Sequence, residues 1–259
     1  MTTVADILQF IHTIAPVSMS ESWDNVGLNC GHTDRPVTKV LVALDPFAHV
    51  CREAKEKGAD LLVTHHALIW KPGFITDQNV QGRNTLFLIE NGIAHINAHT
   101  NLDQAPGGVN DVLAQTLGLQ GAEIINPQVG EVPYGLLRCG TVAEQSLDAF
   151  LSTVKKQLRC DGLRFVDGGK PVRKVAVGGG SCAGAMHEVA AAGCDTFVTS
   201  DVKYNQFWDA RDLGINLIDA GHFHTENPVI AVLAAKIAAQ FPEIEVKISE
   251  THWDCVKYY

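Results

Sequence analysis

Apolar residues recur along the chain with two alternating periods. Residues 4–14 place apolar side chains at i, i+3 and i+4, the spacing of an amphipathic helix. Short, mostly apolar runs typical of buried strands cover 39–45, 60–63 and 93–97. Helical patterns occupy 50–57, 85–91 and about 109–117, with a short strand near 123–125. Strands that alternate with helices of this length predict an α/β fold with mostly parallel sheets.

The same order of elements returns in the second half of the chain. Helices are predicted at 147–158, 186–192, 207–213 and 228–240, and strands at 173–177, 215–219 and 245–248. The segments 58–66 and 193–201 share the pattern Gly-x-Asp-x-x-Val-Thr. Chance similarity between two α/β units is the alternative, but the common motif and element order favour an internal duplication. We predict a first copy over residues 1–126, a second over 133–250, and a tail over 251–259.

Composition and charge limit the class of protein. The net charge is −9 and the hydrophobic fraction is 46%, which fits a soluble protein with a sizeable core. The charge opposes general attraction to a phosphate backbone, so a nucleic-acid partner is not expected. The seven cysteines are odd in number and form no Cys-x-x-Cys pair, which favours reduced thiols and a cytoplasmic location. No stretch is long and apolar enough to predict a signal peptide or membrane span.

Histidines and carboxylates gather at the carboxyl ends of predicted strands or just beyond, where open α/β sheets bind ligands. The candidate metal ligands are His65, His66, Asp103, His222 and Glu226. Five such donors exceed what one four-coordinate ion with an open position needs, and they suit two ions bridged by a carboxylate. Because successive side chains alternate along an extended chain, the two adjacent histidines are expected to serve neighbouring ions. Imidazole with carboxylate suits Zn, Fe, Mn, Co or Ni without selecting one.

The remaining histidines divide into two groups. His99 and His224 are within four residues of a proposed ligand, so a role in orienting the ligands is credible. The others have no convergent partners in the sequence and are interpreted as surface or core residues: His12, His32, His49, His95, His187 and His252.

With these motifs in hand, the chain resembles the GTP cyclohydrolase 1 type 2 family, also called the NIF-three-like proteins. The resemblance rests on residues 23–28, 58–66, 99–103, 201–204 and 221–226. It implies two intertwined, internally duplicated α/β domains. It also implies a toroidal homohexamer whose dinuclear metal sites face the central cavity. The family's ligands fall on the five candidates already named.

The predicted function is that of a metal-dependent hydrolase. Two divalent ions would lower the pKa of a bound water for attack on a small nucleotide-like or heterocyclic substrate. Lys203 and Tyr204 are catalytic candidates that would orient the substrate or stabilise charge, although a solvated lysine and a packing tyrosine fit equally well. The turn at 178–181 is either a weak phosphate cradle or a tight connection. The alternative function is a ring-shaped metal-binding scaffold or adaptor protein without turnover.

Overall fold

A computed structural model describes residues 1–71 and 73–259. The chain divides into two compact units: the first comprises residues 1–105 and 230–253, and the second comprises 106–229 and 254–259. The units are thus interleaved along the sequence, because the chain leaves the first unit and later returns to it. The predicted copies, 1–126 and 133–250 with a tail over 251–259, are segments of a duplicated sequence, and these boundaries stay a prediction.

Strands and helices alternate through most of the chain. The strands are β1 (Gly27–Cys30), β2 (Lys39–Ala43), β3 (Leu61–Thr64), β4 (Ala94–Asn97), β5 (Gln120–Ile124), β6 (Arg138–Gln145), β7 (Arg164–Val166), β8 (Val172–Val177), β9 (Thr196–Thr199), β10 (Asn216–Asp219) and β11 (Glu245–Ile248). The α-helices are α1 (Val4–Ile14), α2 (Ala48–Glu56), α3 (Val80–Glu90), α4 (Thr100–Gln104), α5 (Val109–Thr116), α6 (Leu147–Leu158), α7 (Met186–Ala191), α8 (Tyr204–Leu213), α9 (His222–Glu226) and α10 (Pro228–Gln240). None of the described helices is long and apolar enough to cross a membrane.

The first unit contains a sheet with the strand order β1-β4-β3-β2-β11. Its inner pairs β4–β3 and β3–β2 are parallel, and so is the pair formed by β2 and β11. Strand β1 adds an antiparallel edge against β4. Gly27 and Leu28 of β1 pair with Asn97 and Ile96 of β4.

The second unit contains a sheet with the strand order β5-β6-β8-β9-β10-β7. Its central strands β8, β9 and β10 are parallel. Antiparallel strands flank them on both sides, with β6 and β5 beyond β8 and β7 beside β10. The predicted fold class is therefore confirmed: both units are α/β, and parallel strands form the centre of each sheet.

The duplication is visible in matched contacts at corresponding places. Asp60 precedes β3 and accepts hydrogen bonds from the backbone N–H groups of Thr38 (2.8 Å) and Lys39 (3.1 Å). Asp195 precedes β9 and accepts from the backbone N–H groups of Arg173 (3.1 Å) and Lys174 (2.7 Å). Each aspartate fixes the start of its strand against the preceding parallel strand. This shared role explains why the Gly-x-Asp motif occurs in both halves.

In the second unit, helices cover both faces of the sheet. Alternate residues along β8 point to opposite sides. Val175 and Val177 pack with Phe150 of α6, whereas Ala176 packs with Met186 and Val189 of α7. The β-branched and apolar content of the central strands is thus a consequence of burial on two faces.

In the first unit, Leu41 and Ala43 of β2 pack with Val50 and Ala54 of α2 and with Leu88 of α3. Leu62 of β3 belongs to the same cluster, so the strand that ends at Thr64 is anchored in the core. The core therefore fixes the position from which the residues after Thr64 start.

Candidate metal centre

In the first unit, the adjacent histidines follow β3 immediately. The strand ends at Thr64, and His65 and His66 form a bend. The Thr64 hydroxyl supports this bend, because its Oγ1 donates to the His66 carbonyl at 2.5 Å and lies 2.8 Å from Nε2 of the buried His95. The two histidine rings are 4.9 Å apart between centroids. The expectation that these side chains point in opposite directions is therefore wrong, because the chain is no longer extended there.

Each of these rings is held through Nδ1. His65 Nδ1 donates to the Ala98 carbonyl at 2.9 Å, and His66 Nδ1 donates to Asp45 Oδ1 at 2.6 Å. A histidine that binds a metal through Nε2 commonly donates its other N–H to a carbonyl or carboxylate in this way. The local structure thus fixes the tautomer that presents Nε2 as a ligand.

Asp103 lies beside His65. Its Oδ1 is 3.6 Å from His65 Nε2. Asp103 is 6% exposed and His65 is fully buried. A carboxylate buried to this degree requires a compensating cation or hydrogen bonds. Asp103 lies on the short helix α4, which begins soon after β4 ends.

His99 joins this group, although its position in the sequence predicts only a role in orienting the ligands. Ligand atoms of His65, His66 and His99 all lie within 4.8 Å of one another. His99 Nδ1 donates to Asp24 Oδ2 at 2.9 Å, and Asp24 also accepts from the backbone N–H of Thr100. Burial raises the pKa of Asp24, but the hydrogen bonds from His99 and Thr100 outweigh it and lower this pKa to about 2. The segment just before β1 therefore supplies a carboxylate that orients a histidine.

The second unit contains a separate histidine–carboxylate pair on α9. His222 Nε2 lies 3.0 Å from Glu226 Oε2, one helical turn away. His222 Nδ1 donates to Asp201 Oδ2 at 2.8 Å. Asp201 corresponds by the duplication to His66. The carboxylate at this position therefore supports a histidine in the second half, where the first half has a candidate ligand.

The turn at 178–181 packs closely against this pair. Gly180 has φ +62°, and a Cβ there would lie 2.0 Å from Glu226 Oε1 and 3.2 Å from His222 Nε2. The Gly180 carbonyl accepts hydrogen bonds from Ser200 N (3.0 Å) and Ser200 Oγ (2.7 Å). These contacts agree with a tight connection between strand and helix, and they make room for the glutamate.

The donors in each unit suit a transition-metal ion. Two ligands that bind one tetrahedral ion at about 2.0–2.1 Å lie about 3.3 Å from each other. The distances from His65 to Asp103, 3.6 Å, and from His222 to Glu226, 3.0 Å, lie on either side of that value. The donor atoms are imidazole nitrogen and carboxylate oxygen. The structure thus contains histidine–carboxylate groups suited to hold a metal.

The remaining candidates also lie in the second unit. Lys203 is the N-cap residue of α8, Tyr204 is the first residue of that helix, and Tyr204 is 79% exposed. Their catalytic role stays a prediction. His224 points to other partners, because its Nδ1 is 3.2 Å from the Leu158 carbonyl and its Nε2 is 3.3 Å from Asp254 Oδ2.

The fold and the histidine–carboxylate groups together define the class: a duplicated α/β protein with candidate metal ligands. Comparison with known sequences identifies the family. The chain belongs to the DUF34/NIF3 family (NGG1p interacting factor 3), whose sequence profile matches residues 2–254. A protein of Clostridium perfringens described as a GTP cyclohydrolase 1 type 2 homolog is 35% identical over 235 residues, covering 90% of each chain. A Nostoc protein with the same description is 36% identical over 237 residues, covering 85% of this chain and 89% of its own.

Solved structures agree with this assignment. A Staphylococcus aureus hypothetical protein matches with a TM-score of 0.91 and 31% identity, covering 99% of both chains. A Bacillus cereus protein related to NIF3 matches with a TM-score of 0.93 at 24% identity, covering 100% of this chain and 99% of its own. The second likeness concerns the fold alone. The resemblance drawn from the sequence motifs is confirmed.

Proposed function

We propose that this protein is a cytoplasmic hydrolase that uses two divalent metal ions and acts on a small nucleotide-like or heterocyclic substrate. One observation carries the proposal. His65, His66 and His222 each donate Nδ1–H to a carbonyl or carboxylate, which leaves Nε2 as the nitrogen suited to bind a metal. In two of these histidines Nε2 also lies near a carboxylate: His65 Nε2 is 3.6 Å from Asp103 Oδ1, and His222 Nε2 is 3.0 Å from Glu226 Oε2.

The proposed centre combines the donors of both halves. His65, His66 and Asp103 would come from the first copy, and His222 and Glu226 from the second. The number of donors supports two ions, since a single four-coordinate ion with an open position needs three protein ligands. The geometry of the adjacent histidines does not bear on this number, because their side chains do not alternate as expected. His99, with its ring held by Asp24, is an additional donor or an orienting residue.

A pair of divalent ions held by these residues supplies Lewis acidity and lowers the pKa of a bound water. Side chains of the protein orient the ligands and the substrate. Asp45 and Asp201 keep the Nδ1 atoms of His66 and His222 protonated and their rings oriented. Lys203 and Tyr204 are proposed to orient the substrate or to stabilise developing charge.

The relatives' description supports hydrolysis of a heterocycle. Several are described as GTP cyclohydrolase 1 type 2 homologs, and a cyclohydrolase opens a ring by adding water. We extend to this chain the reaction class, ring hydrolysis, and leave open which ring is the substrate.

A hydrolase substrate screen tests the proposal. Protein loaded with Zn, Fe, Mn, Co or Ni and assayed for metal content is expected to hydrolyse a heterocyclic substrate. The Glu226→Gln variant should lose this turnover, whereas His187→Ala, which changes an exposed histidine of α7, should keep it. A fully loaded protein without turnover on any substrate would favour the scaffold function, particularly if chelation dissociated its assembly.

A further inference from the structure

A cavity of about 310 Å³ lies in the first unit beside His66. It is bounded by the residues that follow β2, the residues that follow β3 and the start of α3. Asp45 and His66, the hydrogen-bonded pair of the candidate centre, form one end of its wall. The cavity therefore adjoins the proposed chemistry within a single unit.

Two aromatic side chains in this wall are about half exposed. Phe47 is 49% exposed and Trp70 is 44% exposed. The Trp70 ring lies 6.1 Å from the His66 ring and meets the His99 ring edge-on at 4.9 Å. Large aromatic groups left open beside a concave site are typical of a surface that a ligand covers.

The Trp70 wall is held in place by a side chain of α3. Gln81 Oε1 accepts a hydrogen bond from the Trp70 backbone N–H at 3.1 Å. Asn84, also in the wall, donates to the Pro46 carbonyl at 3.0 Å and ties α3 to the segment after β2. Two amide side chains thus fix both segments that carry the aromatic groups. A preorganised wall of this kind reduces the entropic cost of binding.

The charge of the cavity selects against phosphate. Its described lining contains neither lysine nor arginine, and its charged side chain is the carboxylate of Asp45. Sites that bind phosphate usually combine a helix N-terminus with arginine or lysine. The start of α3 borders this cavity, but no arginine or lysine of the described lining accompanies it. A polyphosphate placed here would meet an aspartate and apolar surface.

We propose that this cavity binds the uncharged planar ring of a heterocycle of nucleobase size, with Trp70 and Phe47 as its apolar walls. Its volume lies at the lower end of the about 300–1,000 Å³ usual for small-molecule sites, which suits one ring system and not a large ligand. The location of the reacting bond beside His66 rests on the proposed function. Binding of the ring itself does not. The substrate class named by the proposal is a nucleobase or nucleoside, whose recognition needs no phosphate.

Calorimetric titration of the full-length protein with matched pairs of probes tests this. The four common ribonucleosides and their triphosphates are titrated into metal-loaded and into chelated protein, with metal content measured separately. At least one nucleoside should bind both forms, and its triphosphate should not bind the chelated form more tightly. Trp70→Ala should raise the nucleoside Kd about tenfold, because stacking on an aromatic side chain is lost. Trp208→Ala, which changes a 51% exposed tryptophan of α8, should leave the Kd unchanged.

Three results would overturn the proposal: no binding of any nucleoside, tighter binding of the triphosphate to chelated protein, or an unchanged Kd in Trp70→Ala. If Trp70→Ala does not fold by circular dichroism, Phe47→Ala replaces it, with the same expected loss of affinity. Failure of the hydrolase proposal is distinguishable, since it would appear as missing metal or missing turnover while nucleoside binding to the chelated protein persisted.

Discussion

Gly180 approaches Glu226 so closely that no side chain fits at position 180. A Cβ there would lie 2.0 Å from Glu226 Oε1. The glycine stands in the tight turn after β8, and the glutamate ends α9. The tight turn after β8 therefore determines where a proposed metal ligand can be placed.

Gly180→Ala should displace Glu226 and lower the metal content by about one ion per chain. The variant also has a strained backbone, since φ is +62° at this residue, which costs about 1–2 kcal/mol for an alanine. Gly193→Ala is the matched control, because Gly193 has φ +72° but a Cβ there would meet nothing within 4 Å. Elemental analysis and thermal unfolding of both variants separate the two effects. Equal metal content in the two variants would contradict the role assigned to Gly180.

Asp45→Asn should weaken metal binding without removing a proposed ligand. The amide oxygen can still accept the His66 Nδ1–H, which lies 2.6 Å from Asp45 Oδ1 in the parent, but it lacks the negative charge that raises the basicity of Nε2. Loss of such a partner typically lowers metal affinity about 10–100-fold. Competition with a fluorescent chelator measures this affinity. The exposed His187→Ala should match the parent, and an Asp45→Asn variant that also matched it would show that metal binding by His66 does not depend on a charged partner.

Glu53 should make the fold sensitive to acid. This buried residue of α2 accepts hydrogen bonds from Glu250 N (2.8 Å), Thr251 N (3.1 Å) and Thr251 Oγ1 (2.6 Å), just beyond β11. Burial raises its pKa, but the hydrogen bonds from Ser249, Thr251, Glu250 and Lys57 prevail and lower it to about 2 from 4.5. Because the folded pKa is below the unfolded one, the stabilisation is complete above about pH 4.5 and is lost as the pH falls toward 2.

Glu53→Gln should therefore lower the free energy of unfolding by about 2 kcal/mol at pH 7, the loss usual for hydrogen bonds to a charged group. It should also reduce the slope of stability against pH between about 4.5 and 2. Urea unfolding across that range measures both effects. Glu56→Gln, an exposed change on the same helix, is the control and should change neither. An unchanged slope in Glu53→Gln would mean that these contacts do not stabilise the C-terminal segment.

The assembly is expected to be a closed ring of six chains, as the family resemblance implies and as closed symmetry favours. Light scattering should give a mass near six times the 28.0 kDa of one chain. Because the proposed ligands come from one chain, chelation should abolish activity before it dissociates the ring. A monomer with and without metal would contradict the ring, and dissociation on chelation would assign the metal to assembly.

Periodicity in the sequence predicted β2, β3 and β4 of the first sheet and β8 and β10 of the second, because those segments are mostly buried. It missed β1, β6 and β7, which lie at or next to a sheet edge and are only partly buried. It also missed α4 and α9, whose five residues are too few to establish a helical period. These two short helices carry Asp103, His222 and Glu226, yet their chemistry was recognisable without the helices.

The residues that support the candidate ligands were harder to predict. Ala43 and Thr64 are partners in the parallel pair β2–β3. Asp45 and His66 each lie two residues beyond these partners, so their side chains meet. That register is a property of tertiary structure. Asp24 reaches His99 across 75 residues, and no spacing in the sequence indicates that contact. Gly180 has a visible signal, a run of glycines, but the reason for it is a contact with Glu226.

The metal content of the protein tests the central claim most directly. Protein purified without chelator and saturated in metal-replete buffer is analysed by inductively coupled plasma mass spectrometry, beside Glu226→Gln and the exposed-histidine control His187→Ala. We expect about two ions per chain for the parent and for His187→Ala, and at least one ion fewer for a folded Glu226→Gln. A parent that saturates near one ion, or a Glu226→Gln variant that binds as much metal as the parent, would contradict it.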